Sequence, residues 1–285
     1  MSSAAERVPP NLAPDLAHYS DNPLVTVQVM AHDGDAHLLP RALRSVYEQD
    51  LDPALMEIQL VFDGRPSVES ERIIADATAS APCSVNEYVS EPKTGYYCVP
   101  RNRALPAAWG FYIAHMDADN MFLPGHLRGL LNAIRAARGE EGWPHFVYSR
   151  REYVDERGTA DRARHKLVTG PSPLVEWNDD NIEMLLSSPQ GNFIDTGDLL
   201  IGVGTLYELA ERTGYVWNSN ARRFGDWDLV GRLAKAGFRG RAVDQVTHRY
   251  HWTGTNLQLT RRLSDIVALP EAILDRLRAE GKVRI

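Results

Sequence analysis

Cysteine, basic excess and long apolar runs are all scarce in this chain, and each scarcity excludes a class of protein. Its 285 residues hold two cysteines, Cys83 and Cys98, too few for a disulfide framework and without the paired spacing of a zinc site. A reducing, cytoplasmic setting is the expectation. Lys and Arg number 31 against 38 Asp and Glu, a formal net charge of -7, so no nucleic-acid partner is expected, because that role needs a basic face. The arginines that gather at 150–164 and 261–262 read as solvated faces or local phosphate contacts. No stretch reaches the roughly 18 apolar residues of a transmembrane segment. The start lacks a charged region followed by an apolar one, so residues 1–22 read as a flexible arm rather than a signal peptide.

What is present is ordinary globular material, 44% apolar and 24% charged, patterned as alternating strands and helices. Residues 24–30 are β-branched and apolar, and Leu38, Leu39, Ala42, Leu43, Val46 and Tyr47 then recur at helical spacing. A second strand at 57–62 closes on Asp63-Gly64, followed by a polar helix at 67–79, a strand at 84–89, a helix at 101–109 and a strand at 111–116. This β-α alternation predicts an α/β fold with a Rossmann-like, mostly parallel sheet flanked by helices. Pro124 introduces a helix with Leu127, Leu130, Leu131 and Ile134 on one face. The second half is less regular, with a strand and helix at 199–213 and an amphipathic helix at 226–237.

Asp117-Ala118-Asp119 is the most informative unit. Two carboxylates spaced i, i+2 follow the apolar strand where it emerges from the sheet, the end at which open α/β sheets bind ligands. Hard oxygen donors there suit a divalent cation that also grips phosphate oxygens. Asp63 ends its strand in the same way and should face the same crevice. Arg101-Asn102 is placed at the start of the helix before the fourth strand, where a guanidinium could meet a nucleotide. Asp226 opens the helix at 226–237, as an N-cap or as a proton acceptor.

In their order, these segments resemble the inverting GT-A glycosyltransferases of family 2. TVQVMAHDGDAHLLPRALRSVYEQDL is similar to that family's first strand, turn and helix; LVFDG to its second-strand acid; PRNRALPAAWGFYIAHMDADNMFLPGHL to its Arg-Asn helix and Asp-x-Asp; GDWDLVGRLAKAGF to the segment with the catalytic base. Two departures stand out: His32-Asp33 replaces the usual Tyr-Asn, and Gly225 replaces a Glu often found before the base.

The resemblance implies a nucleoside diphosphate sugar donor, with a UDP-sugar favoured, bound by Ala31, His32, Asp63, Arg101, Asp117 and Ala118. It implies Mn2+ or Mg2+ held by Asp117 and Asp119, with His251 where several such enzymes place a third ligand. Asp226 is implied as general base. Trp177, Asp195 and Trp217 are candidate contacts to a small soluble hydroxyl acceptor, since such side chains suit sugar-like groups. The expected organisation is an arm (1–22), a nucleotide-sugar half (23–125), an acceptor and catalytic half (126–256) and a C-terminal helical segment (257–285); a homodimer is compatible with it. The alternatives are a sugar nucleotidyltransferase, disfavoured because AHDGDAH after the first strand has no Arg or Lys for a triphosphate, and a non-catalytic binder of nucleotide sugars.

Overall fold

The computed structural model describes residues 23–137, 144–156 and 169–253. The expectations for the arm at 1–22 and the helical segment at 257–285 fall outside the described residues, as do the arginines at 157, 162, 164, 261 and 262.

Four strands form a parallel block in the order β3-β2-β1-β4: β1 (Val25–Ala31), β2 (Met56–Asp63), β3 (Ser84–Ser90) and β4 (Tyr112–Asp117). Every residue of β1 and β2 is buried, as parallel strands are when helices cover both faces. The crossovers are α1 (Leu39–Tyr47), α2 (Val68–Thr78) and α3 (Cys98–Ala104). In α1, Leu39, Ala42, Leu43 and Val46 turn inward, the i, i+3, i+4, i+7 stripe that binds a helix to a sheet. Ser67 caps α2 by accepting the Ser70 amide at 3.2 Å.

One face of the block carries a buried polar ladder instead of an apolar one. Gln28 donates to Gln59 Oε1 at 2.8 Å, and Gln59 donates to the Ala104 carbonyl at 2.8 Å. Burial and the neighbouring Arg101 charge hold His115 well below the usual histidine range. It is therefore neutral, and its Nδ1 donates to Gln28 Oε1 at 3.1 Å. The amides of Gln28 and Gln59 and the Nδ1 of His115 thereby find partners, the condition for keeping such groups inside.

The second half adds β5 (Met121–Phe122), α4 (His126–Ala136), β6 (Phe146–Asp155), β7 (Gly170–Pro171), α5 (Asp179–Ser187), β8 (Leu199–Gly202), α6 (Val203–Thr213), α7 (Gly225–Lys235) and β9 (Gly240–Trp252). β8 joins β4 antiparallel, β6 joins β8 antiparallel, and β9 returns parallel to β6. The sheet is continuous across both halves, in the order β3-β2-β1-β4-β8-β6-β9-β5. Two apolar clusters meet at β4, where Ala114 and Met116 face one and Ile113 faces the other. Asp117 lies at the open end of that seam.

Candidate active site

An open cleft runs along the carboxyl ends of β1, β2 and β4. Ala31 and His32 line it after β1, Asp63 at the end of β2, Asp117 and Asp119 at the end of β4, and Tyr96 and Tyr97 before α3. Its far wall is Asp195, Arg222, Arg223, Phe224, Asp226 and Tyr250. Residues from both halves thus share one crevice.

The turn after β1 is tied by Asp35, which accepts the His32 amide at 2.7 Å. His32 Nδ1 accepts the Gly34 amide at 2.9 Å, so Nε2 faces Asp35 at 3.5 Å. Asp63 folds the opposite loop: its carboxylate accepts the amides of Thr94 at 2.9 Å and Gly95 at 2.6 Å. Gly64 follows at φ 89°, a conformation that glycine adopts without a Cβ penalty. Asp63 is therefore both a turn former and a cleft wall.

Acidic crowding dominates the floor. Burial raises the Asp117 carboxyl above its ordinary range, opposed by Arg101. Asp119 is raised well above it, by burial and then by the charges of Asp117, Asp35 and Asp195. Burial also raises Asp35. Among the described residues, no three His, Cys, Asp or Glu side chains converge into a metal cage. The donor set nonetheless fits Mg2+ or Mn2+, because Mg2+ at phosphate sites takes one or two carboxylates and completes its shell with phosphate oxygens and water. A divalent cation would also relieve the repulsion that keeps Asp119 reluctant to ionise. The Asp119 backbone is fixed from behind, its carbonyl accepting from Arg41 at 2.7 Å.

Asp226 reaches the cleft from the first turn of α7. The N-cap position belongs to Phe224, which makes no side-chain cap, so Asp226 is not the N-cap. Phe224 sits at φ 55°, a left-handed conformation that costs a non-glycine residue on the order of 1 kcal/mol. Gly225 explains the missing Glu: a Cβ there would lie 2.5 Å from Cys98 Sγ and 2.9 Å from the Tyr97 hydroxyl. Asn192 donates to Asp226 Oδ2 at 2.7 Å and orients the carboxylate. Burial, and then the Asp195 charge, push the Asp226 carboxyl up to about 7. Asp195 is held in turn by a capping box with Asp198, whose carboxylate is buried against Arg151 and His248.

Residues 26–198 match the sequence profile of glycosyl transferase family 2. The chain belongs to that family. Succinoglycan biosynthesis protein ExoU of Rhizobium meliloti (strain 1021) is 24% identical to this glycosyltransferase over 234 residues, 80% of the present chain and 63% of ExoU. The chain thus spans less than two thirds of that relative. S. aureus TarS 1-349 in complex with UDP-GlcNAc superposes with a TM-score of 0.58 at 14% identity, over 90% of this chain and 66% of TarS 1-349. The mannosyltransferase PcManGT of Pyrobaculum calidifontis, in complex with GDP-Man and Mn2+, gives 0.53 at 18% identity, over 81% and 57% of the two chains. At such identities these two matches establish the GT-A fold.

Several expected contacts are corrected within this glycosyltransferase. Arg101 does not line the cleft. α3 begins three residues earlier than the sequence suggested, which turns Arg101 inward to zero exposure, where it donates to Asp117 Oδ1 at 2.8 Å. Trp217 is fully buried, edge-on to His115 and Tyr97. Trp177 packs edge-on to Phe146, away from the cleft. Neither tryptophan lines the cleft. His251 is buried and pairs through Nδ1 with Glu156 at 2.8 Å; it braces the Asp119 turn by donating its amide to Asn120 and does not line the cleft. Ala118 is buried beneath the floor. Arg151 is no solvated arginine: it is buried on Asp198. Asp35 and Tyr97 were not foreseen. An acid three residues after His32, at a strand end, was the available signal for Asp35.

Proposed function

We propose that this glycosyltransferase moves a sugar from a nucleoside diphosphate sugar, preferentially a UDP-sugar, to a hydroxyl of a small soluble acceptor with inversion. The observation that carries the reading is the meeting of Asp226 with Asp117 and Asp119 in one cleft, with the Asp226 carboxyl poised at about 7. A group near neutrality is both ionised and basic enough to take a proton as a bond forms. Asp226 accepts the proton of the acceptor hydroxyl, oriented by Asn192, while the oxygen attacks the anomeric carbon from the face opposite the leaving group. One carboxylate and one displacement invert the anomeric centre.

Asp119, with Asp117 behind it, would hold Mn2+ or Mg2+. The bound ion supplies Lewis-acid neutralisation of the departing diphosphate. Arg101 opposes the burial that raises the Asp117 carboxyl and holds it in place. His32 and Asp63 flank the position of the base and ribose. The TarS complex with UDP-GlcNAc and the PcManGT complex with GDP-Man and Mn2+ support this class of donor. No helix among the described residues is long and apolar enough to cross a membrane, and Cys83 and Cys98 are free thiols, which suits the cytoplasm as the proposed setting.

Thermal melting with UDP-glucose, UDP-GlcNAc and GDP-mannose, each with and without Mn2+, tests the reading. A ligand at about one hundred times its Kd stabilises the native state by about 2.7 kcal/mol. One sugar nucleotide should raise Tm only when Mn2+ is present. No response to any of them would remove the donor assignment.

A further inference from the structure

Helix α7 starts without a cap of its own. Phe224 occupies the N-cap and offers no side-chain acceptor, and the first-turn amides of a helix have no partner within the helix. The amide of Asp226 is met from outside: it donates to the Tyr97 hydroxyl at 3.1 Å. The same tyrosine has a second engagement. Its ring carries the Arg101 guanidinium, with Cζ 4.4 Å from the centroid, and the Trp217 ring, edge-on to Tyr97 with centroids 5.7 Å apart, forms an adjacent wall at 5.0 Å. Arg101 in turn holds Asp117 at 2.8 Å. One side chain therefore touches the backbone of Asp226 and the cation that fixes Asp117.

We propose that Tyr97 is a positioning residue that locks Asp226 in register with Asp117, and so sets the distance between proton acceptor and donor. The proposal rests on Asp226 being the general base. The packing leaves little slack for another arrangement. A Cβ on Gly225 would lie 2.9 Å from the Tyr97 hydroxyl, so the α7 backbone already rests against it. Phe224 is held in a left-handed conformation one residue earlier, which persists only where the surroundings enforce it. Tyr97 forms part of the cleft wall, yet its hydroxyl is taken up by the enzyme's own backbone. It acts through Asp226 and Arg101.

Tyr97→Phe keeps the ring under Arg101 and removes only the hydroxyl. Turnover is followed as nucleoside diphosphate release, with Mn2+ and the sugar nucleotide selected by melting, in the parent, Tyr97→Phe, Asp226→Asn and the double variant. The expected result is a kcat lower by about tenfold or more, the scale of a small misplacement of a reacting group. Donor KM should stay within about twofold, and the substitution should cost nothing further in the Asp226→Asn background, as for residues that act as one unit. A parent kcat, a loss confined to KM, or an equal loss in both backgrounds would overturn the lock. Should Asp226→Asn retain the parent rate, the base assignment fails instead. Amide hydrogen exchange at Asp226 then judges the lock by itself, and it does so equally if Tyr97→Phe folds poorly. The wild-type amide should be protected and should exchange faster in Tyr97→Phe; exchange in the wild type at the rate of an open amide would overturn the proposal.

Discussion

Replacing Asp226 by Asn should make the protein more stable and less active, and the pH dependence should separate the two effects. The carboxyl moves from 3.8 to about 7 on folding. At about 1.4 kcal/mol per tenfold change in proton affinity, the ceiling on the folded-state penalty is about 4 kcal/mol. Partial exposure and solvent screening reduce it to about 1–2 kcal/mol. An acid raised in the folded state binds its proton more tightly there than in the unfolded chain. The penalty is therefore absent below the unfolded value, grows as pH rises through the interval, and is complete above about 7. Asparagine keeps the shape and does not titrate. In metal-free buffer at pH 8, Asp226→Asn should melt roughly 2–8 °C above the parent, at about 2–4 °C per kcal/mol for a chain of this size. The difference should shrink towards zero as pH falls to 4. Transfer should drop by about 10²-fold or more, the usual scale for a positioned base. A variant that melts below the parent at pH 8, or that transfers at the parent rate, would refute the reasoning.

Two further substitutions probe the floor of the cleft. Asp119→Asn should abolish Mn2+-dependent turnover, and without metal it should raise Tm, because it removes a carboxyl crowded by Asp117, Asp35 and Asp195; turnover surviving excess EDTA in the parent would contradict the metal assignment. Arg101→Met keeps much of the volume against Tyr97 and Trp217 but leaves Asp117 without its cation. Urea unfolding should show a loss of about 1–2 kcal/mol, since the stranded Asp117 carboxylate is 34% exposed and water screens part of the cost of breaking the pair, and parent stability would argue that Asp117 is solvated without it.

The α/β architecture was legible because its signals are local. Runs such as VTVQVMA and MEIQLVFD declare buried strands, and the stripe of Leu127, Leu130, Leu131 and Ile134 declares the face of α4. The acids at strand ends followed from the same runs. What stayed hidden depends on contacts across long separations. The fate of Arg101 is decided by Trp217 and by where α3 starts, and that start lacks a side-chain cap to mark it. Trp217 looked suited to an acceptor, but its place is edge-on to His115, in the polar layer under the sheet. His251 is claimed by Glu156 at the end of β6. The absence of Glu at position 225 is legible only once Cys98 and Tyr97 are seen pressed against it.

The most direct measurement is the anomeric configuration of the sugar first formed when the selected donor is turned over with Mn2+, read by proton NMR before mutarotation. A single displacement assisted by Asp226 predicts inversion, so an α-linked donor should yield the β-anomer first. Asp226→Asn should yield neither anomer at an appreciable rate. Retention of the α configuration, or inversion at the parent rate in Asp226→Asn, would contradict the proposed chemistry.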